Sequence, residues 1–414
     1  MDDAETDADG TDATSGGPDR VDYGPLRAAL DGFDGYLLDA DGEDSNQRYL
    51  SGFAAPDPFV TLWTPGGTHL LVSSLEYGRA RDEADAATVA RFADYDYRSR
   101  AAERGPHAGR ALTVAAWLAD RDADAVRVPE RFPLGVADRL RDRDVTVETD
   151  PDDSVETVRA RKTPTEVDHV RAAQRANEAA MAAAADLLRA ATPDDEGVLR
   201  HDGAALTSER VRGEIEGTLL DHGCGLDETI VACGADAADP HDRGSGPLRA
   251  GEAIVVDVFP YDKTTGYYAD MTRTFAVGDP GERIREWHAL TDEARRAALD
   301  VLEPGVTGAA VHDAVCDVYE DAGLPTLRAD PRTGTGFIHS TGHGIGLDVH
   351  ELPRLSPDGG ELRPGHVVTV EPGLYDPAVG GVRIEDLVVV TEDGHENLTE
   401  YPVDLTPRAT SRST

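Results

Sequence analysis

"AIVVDVFPYDKTTGYYADMTRTF", Ala253 to Phe275, is two apolar runs joined by a polar turn, and each run carries an aspartate. Val, Ile, Thr, Tyr and Phe favour a pleated, half-buried surface, so both runs read as strands of a hairpin. Asp257 sits inside the first run and Asp270 opens the second. A hairpin symmetric about Lys263 and Thr264 makes the two acids direct cross-strand partners, with Cβ atoms roughly 5 Å apart. Two like charges that close are destabilising unless something positive lies between them. The stretch therefore predicts a sheet that holds a cation.

Working outward, "HVVTVEPGLY" (366–375) is an apolar strand ending in Glu371, and "GGVRIEDLVVV" (380–390) is another with Glu385 inside it. Pro372 keeps Glu371 extended. Acids number 80 in 414 residues, so their spacing alone carries little. The signal is their placement inside β-branched runs and the company of histidine. "HSTGHGIGLDVHE" (339–351) holds three of the chain's 13 histidines, more than a core needs. Asp257, Asp270, His343, Glu371 and Glu385 would form an all-oxygen cluster with one imidazole. That set suits two hard or borderline divalent ions, Mn²⁺ first, with Fe, Co or Zn compatible. Two ions side by side would draw the pKa of a water between them toward neutrality. The glycines beside His343 are expected to let backbone come close to ions and substrate. "GTGTGF" and "GHGIG" are poor phosphate loops, since neither has a lysine at a strand-to-helix turn.

Composition narrows the function classes. The formal net charge is −40, and Lys162 and Lys263 are the only lysines. Acid spread along the whole chain with lysine nearly absent fits a cytoplasmic protein of a halophile, where salt near 1 M cuts the Debye length to roughly 3 Å. Such a charge argues against nucleic acid or an anionic membrane as partner. No apolar run approaches the roughly 20 residues a bilayer span needs. The start, "MDDAETDADGTDATSGGPD", lacks the basic and apolar regions of a signal peptide. Cys224, Cys233 and Cys316 have neither disulfide nor zinc-ligand spacing, and Cys224 and Cys233 read as small buried residues.

The expected organisation is a disordered acidic tail (1–20), an α/β domain (21–155), a larger catalytic domain (160–405) and a short tail (406–414). In the first domain, "YLLDADGEDSNQRYLSGF" and "PFVTLWTPGGTHLLVSS" read as strands broken by turns, with a hairpin tip at Pro65–Gly67. "GRALTVAAWLAD" and "PLGVADRLRD" read as helices between the short strands "AVRVP" and "VTVE", and "TDPDDSVETVRARK" as a boundary. Thr163, Pro164 and Glu166 form a capping-box start for an Ala-rich helix running to about Ala191. "SERVRGEIEGTLLDHG" is a second helix, and further helices are expected near 284–302 and 309–322.

At these residues the chain resembles the metallopeptidase family that contains methionine aminopeptidase, Xaa-Pro aminopeptidase and prolidase. "ADMTRTF", "VEPGLY" and "VRIED" appear in the family's order, over about Thr163 to Leu405. The resemblance implies an α/β (α+β) fold: a creatinase-like amino-terminal domain, which places it in the Xaa-Pro branch, followed by a pita-bread catalytic domain. It implies that Asp257 holds one ion, that Asp270 and Glu385 bridge both, and that His343 and Glu371 complete the other. Glu371 would also move the proton of the attacking water. His350 would contact the scissile peptide, His339 and His241 would line the rim and help orient substrate, and Arg383 would sit beside the bridging glutamate. The Asp257–Asp270 interval is two residues longer than the family's usual one, which a longer loop, "PYDKTTG", takes up. The implied activity is hydrolysis of the bond between an amino-terminal residue and proline in short peptides, by a homodimer. The alternatives are a same-fold hydrolase with a non-proline or non-peptide substrate, as in creatinase, and a non-catalytic binding module. Dipeptidase and aminopeptidase are both left open.

Overall fold

The computed structural model describes residues 21–408; the expected acidic tail and most of the expected carboxy-terminal tail lie outside them. The amino-terminal part is a six-stranded mixed sheet in the spatial order 88–91, 67–72, 59–64, 35–40, 125–128, 146–149. Phe59–Thr64 and Gly67–Val72 form the expected hairpin, with Thr64 opposite Gly67 across a Pro65-Gly66 turn. Leu37, Val60, Leu62 and Val126 pack on Trp117 and Leu118 of the Pro106–Ala119 helix. Tyr36, Leu38 and Trp63 face the other side and cover Val155 and Val158.

Two expectations here need correction. "SNQRYLS" is a helix, Ser45–Ser51, because Asp44 caps it from Gln47 N at 2.8 Å and Gly52 ends it at φ 61°. The expected boundary stretch also contains a helix, Ser154–Ala160, whose apolar face is buried on the sheet.

The carboxy-terminal part repeats one plan twice. Helices Pro164–Ala190 and Ser208–Asp221 cover a three-stranded antiparallel sheet of 229–233, 254–258 and 271–275. Helices Gly281–Val301 and Gly308–Asp321 cover a five-stranded sheet ordered 351–355, 342–344, 367–370, 386–390, 395–397. The capping box is as expected: Thr163 Oγ1 accepts from Glu166 N, and Glu166 Oε2 accepts from Thr163 N at 2.7 Å. Each helix pair buries small residues against Val and Ile (Ala180 and Ala184 in one, Ala294 and Ala298 in the other), which lets helix and sheet approach closely.

The hairpin register differs from the symmetric expectation. Asp257 pairs with Thr272, and Asp270 precedes the strand Met271–Phe275. The reason is local: Asp262 Oδ1 accepts from Thr264 N and Thr265 N, and Gly266 takes φ +82°. That turn is centred one residue later than Lys263–Thr264, so pairing shifts by two. A shift of two preserves the face, so Asp257 and Asp270 still point the same way. The expected single strand 380–390 is likewise two strands in different sheets, Gly380–Arg383 and Asp386–Val390. It breaks where Ile384 N bonds Pro372 O and Glu385 N bonds Thr272 O, tying one sheet to the other.

A candidate metal centre in a buried cavity

Asp257, Asp270, His343, Glu371 and Glu385 line one cavity of about 740 Å³, together with His241, His339, His350 and Arg383. The structure thus brings together every residue singled out in the sequence. The hairpin supplies the two aspartates, while the five-stranded sheet supplies His343 from a strand and Glu371 from just past a strand end. Glu385 comes from the joint between sheets. Ligand atoms of Asp270, His343 and Glu385 lie within 4.8 Å of one another, and His343 Nε2 is 3.3 Å from Glu371 Oε1.

The electrostatics suit a bound cation. Burial raises the carboxyls of Asp270 and Glu385 well above the usual range, and the neighbouring carboxylates add to it. Glu371 is pushed up to about 8, by burial first, despite the Arg383 charge. Arg383 reaches Asp257 Oδ2 at 2.7 Å and, through Thr272 Oγ1, touches Glu385. It is one charge set against four acids. Asp257 Oδ1 and Asp270 Oδ1 are buried with no partner. His343 is held neutral, pushed down to about 3 by burial and then by His350. Its Nδ1 faces Gly344 O at 3.1 Å, which places the proton there and leaves the Nε2 lone pair turned toward the carboxylates. A lone pair 3.3 Å from a carboxylate oxygen is repulsive unless a proton or a metal ion lies between them. Oxygen donors, one neutral imidazole nitrogen and orphaned carboxylate oxygens together fit divalent ions.

The remaining residues divide by what they touch. The His350 ring stacks edge-on over His343 with centroids 4.2 Å apart, and burial followed by the Arg354 charge keeps it below its ordinary pKa. His339 has both nitrogens engaged within the protein, Nδ1 with Ser340 O at 2.7 Å and Nε2 with the Tyr375 hydroxyl at 3.1 Å. Tyr375 in turn accepts from Arg383 Nη1 at 2.9 Å. Tyr375, Thr272 and Thr369 were not singled out in the sequence, although "VEPGLY" and "ADMTRTF" contain two of them. Thr369 Oγ1 accepts from His343 N and donates to Glu371 Oε1, so one hydroxyl orients two of the ligand residues. His241 lies exposed at the rim.

The glycines around His343 serve another purpose than expected. A Cβ on Gly342 would meet Thr369 O at 2.0 Å, and one on Gly344 would meet Leu352 O at 2.1 Å. They admit the neighbouring strands.

Comparison with known proteins gives the same picture. Residues 168–392 match the model of metallopeptidase family M24, and residues 27–159 match the creatinase/prolidase amino-terminal domain. A stretch of 180 residues is 38% identical to the Xaa-Pro dipeptidase of Pyrococcus furiosus, covering 43% of this chain and 49% of that one. The chain thus spans about half the length of this curated relative. The fold extends further. The Xaa-Pro dipeptidase of Bacillus anthracis superposes with TM-score 0.77 at 26% identity, over 93% of this chain and 98% of the other. X-Pro aminopeptidase of Thermotoga maritima gives 0.74 at 26%, over 92% and 99%. With its sheets, its cluster of acids and histidine, and a family match over more than half its length, the chain belongs to metallopeptidase family M24.

Proposed function

We propose that the protein is a metal-dependent peptidase that hydrolyses the bond between an amino-terminal residue and proline, as an Xaa-Pro dipeptidase or aminopeptidase. The observation that carries this is the convergence of four carboxylates and a neutral histidine in one cavity, where Arg383 is the one buried cation among the described lining residues. Relatives named as Xaa-Pro dipeptidases support the substrate class. Asp257, Asp270, His343, Glu371 and Glu385 would hold two divalent ions, with Mn²⁺ the first to test. Bound there, the ions supply Lewis acidity at the scissile carbonyl and at the attacking water.

The chain's own residues do the rest. Glu371, a carboxylate when the ions are bound, takes a proton from the attacking water and passes it to the leaving proline nitrogen. The His350 ring edge faces the cavity and donates to the carbonyl oxygen as charge develops there. Asp257 is held by Arg383, Arg383 by Tyr375, and Tyr375 by His339. His339 therefore orients the ligand set from behind, and His241 at the rim is left to meet the substrate.

The test is to purify the protein in molar KCl, strip it with chelator, and assay an Xaa-Pro dipeptide and an Xaa-Pro-Xaa tripeptide with and without Mn²⁺. Release of the first residue only with metal is expected, and the preferred length separates dipeptidase from aminopeptidase. Absence of cleavage on both peptides, with two ions bound, would overturn the proline-specific reading.

A further inference from the structure

His350 makes no side-chain hydrogen bond among the described residues; its ring meets the His343 ring edge-on. Its flanking residues are held in a different way. Asp348, two positions before it, accepts from Ser45 Oγ at 2.6 Å and from Arg159 Nη2 at 2.7 Å. Glu351, the next residue, accepts from Lys162 Nζ at 2.9 Å and from Arg159 Nη2, and its Oε1 also accepts from Asp348 N at 3.0 Å. The glutamate thus folds back beneath its own turn, and Gly346 makes room: a Cβ there would meet Glu351 Oε2 at 2.7 Å. Arg159 is fixed from its other nitrogen, Nη1, by Asn46 Oδ1 at 2.6 Å. Two cations and two carboxylates balance, with Arg159, Lys162 and Glu351 all buried.

The position of these cations is telling. Arg159 ends the stretch matching the creatinase/prolidase domain, and Lys162 lies between the two matched stretches. Lys162 is one of only two lysines in a chain that otherwise uses arginine, and Lys263 stands on a hairpin turn. The compact Lys162 ammonium, on a buried stem, meets one carboxylate oxygen of Glu351.

We propose that Arg159 and Lys162 are positioning residues for His350: their clamp on Asp348 and Glu351 sets where the ring stands over His343. The amino-terminal half, which contributes no metal ligand, would then govern the reaction through this turn. A misplacement near 1 Å costs a reaction on the order of 100-fold, so a modest shift of the ring is measurable. The inference rests on the peptidase reading for its rate measurements but not for its structural one.

The experiment uses the full-length, metal-loaded protein with Lys162→Met, which keeps the stem and removes the charge. The carbethoxylation rate of His350 is followed by peptide mass spectrometry, alongside kcat and KM on an Xaa-Pro peptide. We expect the His350 modification rate to rise about threefold or more, and kcat to fall about 10-fold with KM within about twofold. In a His350→Ala background the same substitution should change kcat by less than about twofold, because it acts through the missing ring. An unchanged His350 modification rate, or an undiminished kcat loss in that background, would overturn the proposal. If Lys162→Met shows no cooperative melt, Glu351→Gln, which keeps shape, takes its place in both measurements, and the same two results would overturn the proposal. Failure of the wild type to cleave any Xaa-Pro peptide would sink the peptidase reading alone, since the modification rate needs no substrate.

Discussion

Glu351 and Glu371 are both glutamates largely shut away from solvent, and their surroundings move them in opposite directions. Burial alone would raise Glu351, but Lys162 and Arg159 outweigh it and hold the carboxyl at about 2. Burial raises Glu371 to about 8, and the nearby Arg383 does not offset it. The first cluster carries as many cations as acids and is complete as folded. The second sets one cation, Arg383, against four acids, an imbalance that bound ions would redress. Burial of acids is therefore not what marks a metal centre; an imbalance of internal charge is.

Four measurements press on that contrast. Asp270→Ala or Glu385→Ala should lower kcat by well over the roughly 100-fold that losing an outer hydrogen-bond partner costs, with the fold kept. Metal analysis alongside activity checks this, and a variant that retains both would break the contrast at its centre. Arg383→Lys keeps the charge but not the fork that joins Asp257, Thr272 and Tyr375, so a loss of about 10- to 100-fold is expected in kcat or metal affinity.

Reloading the chelated protein with Mn²⁺ at 100 times its Kd should stabilise it by about 2.7 kcal/mol in a thermal melt. The same salt without a divalent ion should do much less. The smallest effects are in pH, and their signs differ. Glu351, lowered in the native state, contributes stability that is full above about 4.5 and lost as pH falls toward about 2. Glu371, raised in the ion-free native state, binds its proton more tightly folded than unfolded. Chelated protein should thus gain stability as pH falls from about 8 toward 4.5. Urea midpoints from about pH 8 down to about 2 test both slopes, and Mn²⁺ should abolish the upper one.

Much of this was legible in the sequence because the ligands interrupt strands. Asp257 and Glu385 stand among Val and Ile, where a solvated acid has no place, and Thr163-Pro164-Thr165-Glu166 announces its helix. The hairpin register was not legible, because the Asx turn at Asp262, whose side chain accepts from two backbone N–H groups, replaces the symmetric turn. The break at Ile384-Glu385 was hidden as well. Val-Arg-Ile-Glu-Asp alternates as a strand should, and only docking against Thr272 O and Pro372 O interrupts it. The helix 45–51 had its Asp44 cap and Gly52 stop in plain view, but it is too short to show an apolar period. The clamp on Glu351 joins residues 189 apart, beyond any local pattern.

The joint at Glu385 also sets a timetable. Thr272 Oγ1 and Glu385 meet across 113 residues of chain. At roughly 5–20 residues per second, a ribosome delivers the glutamate about 6 to 23 seconds after the hairpin. By then the helices 164–190 and 208–221 have long emerged, and with the strands 229–233, 254–258 and 271–275 and the segments between they hold all of one apolar core but Tyr401. That half can fold early around Asp257 and Asp270, holding two carboxylates of an unfinished site. Ion capture would then wait until the second sheet docks, with the first sheet and its helices standing as a formed body short of that contact.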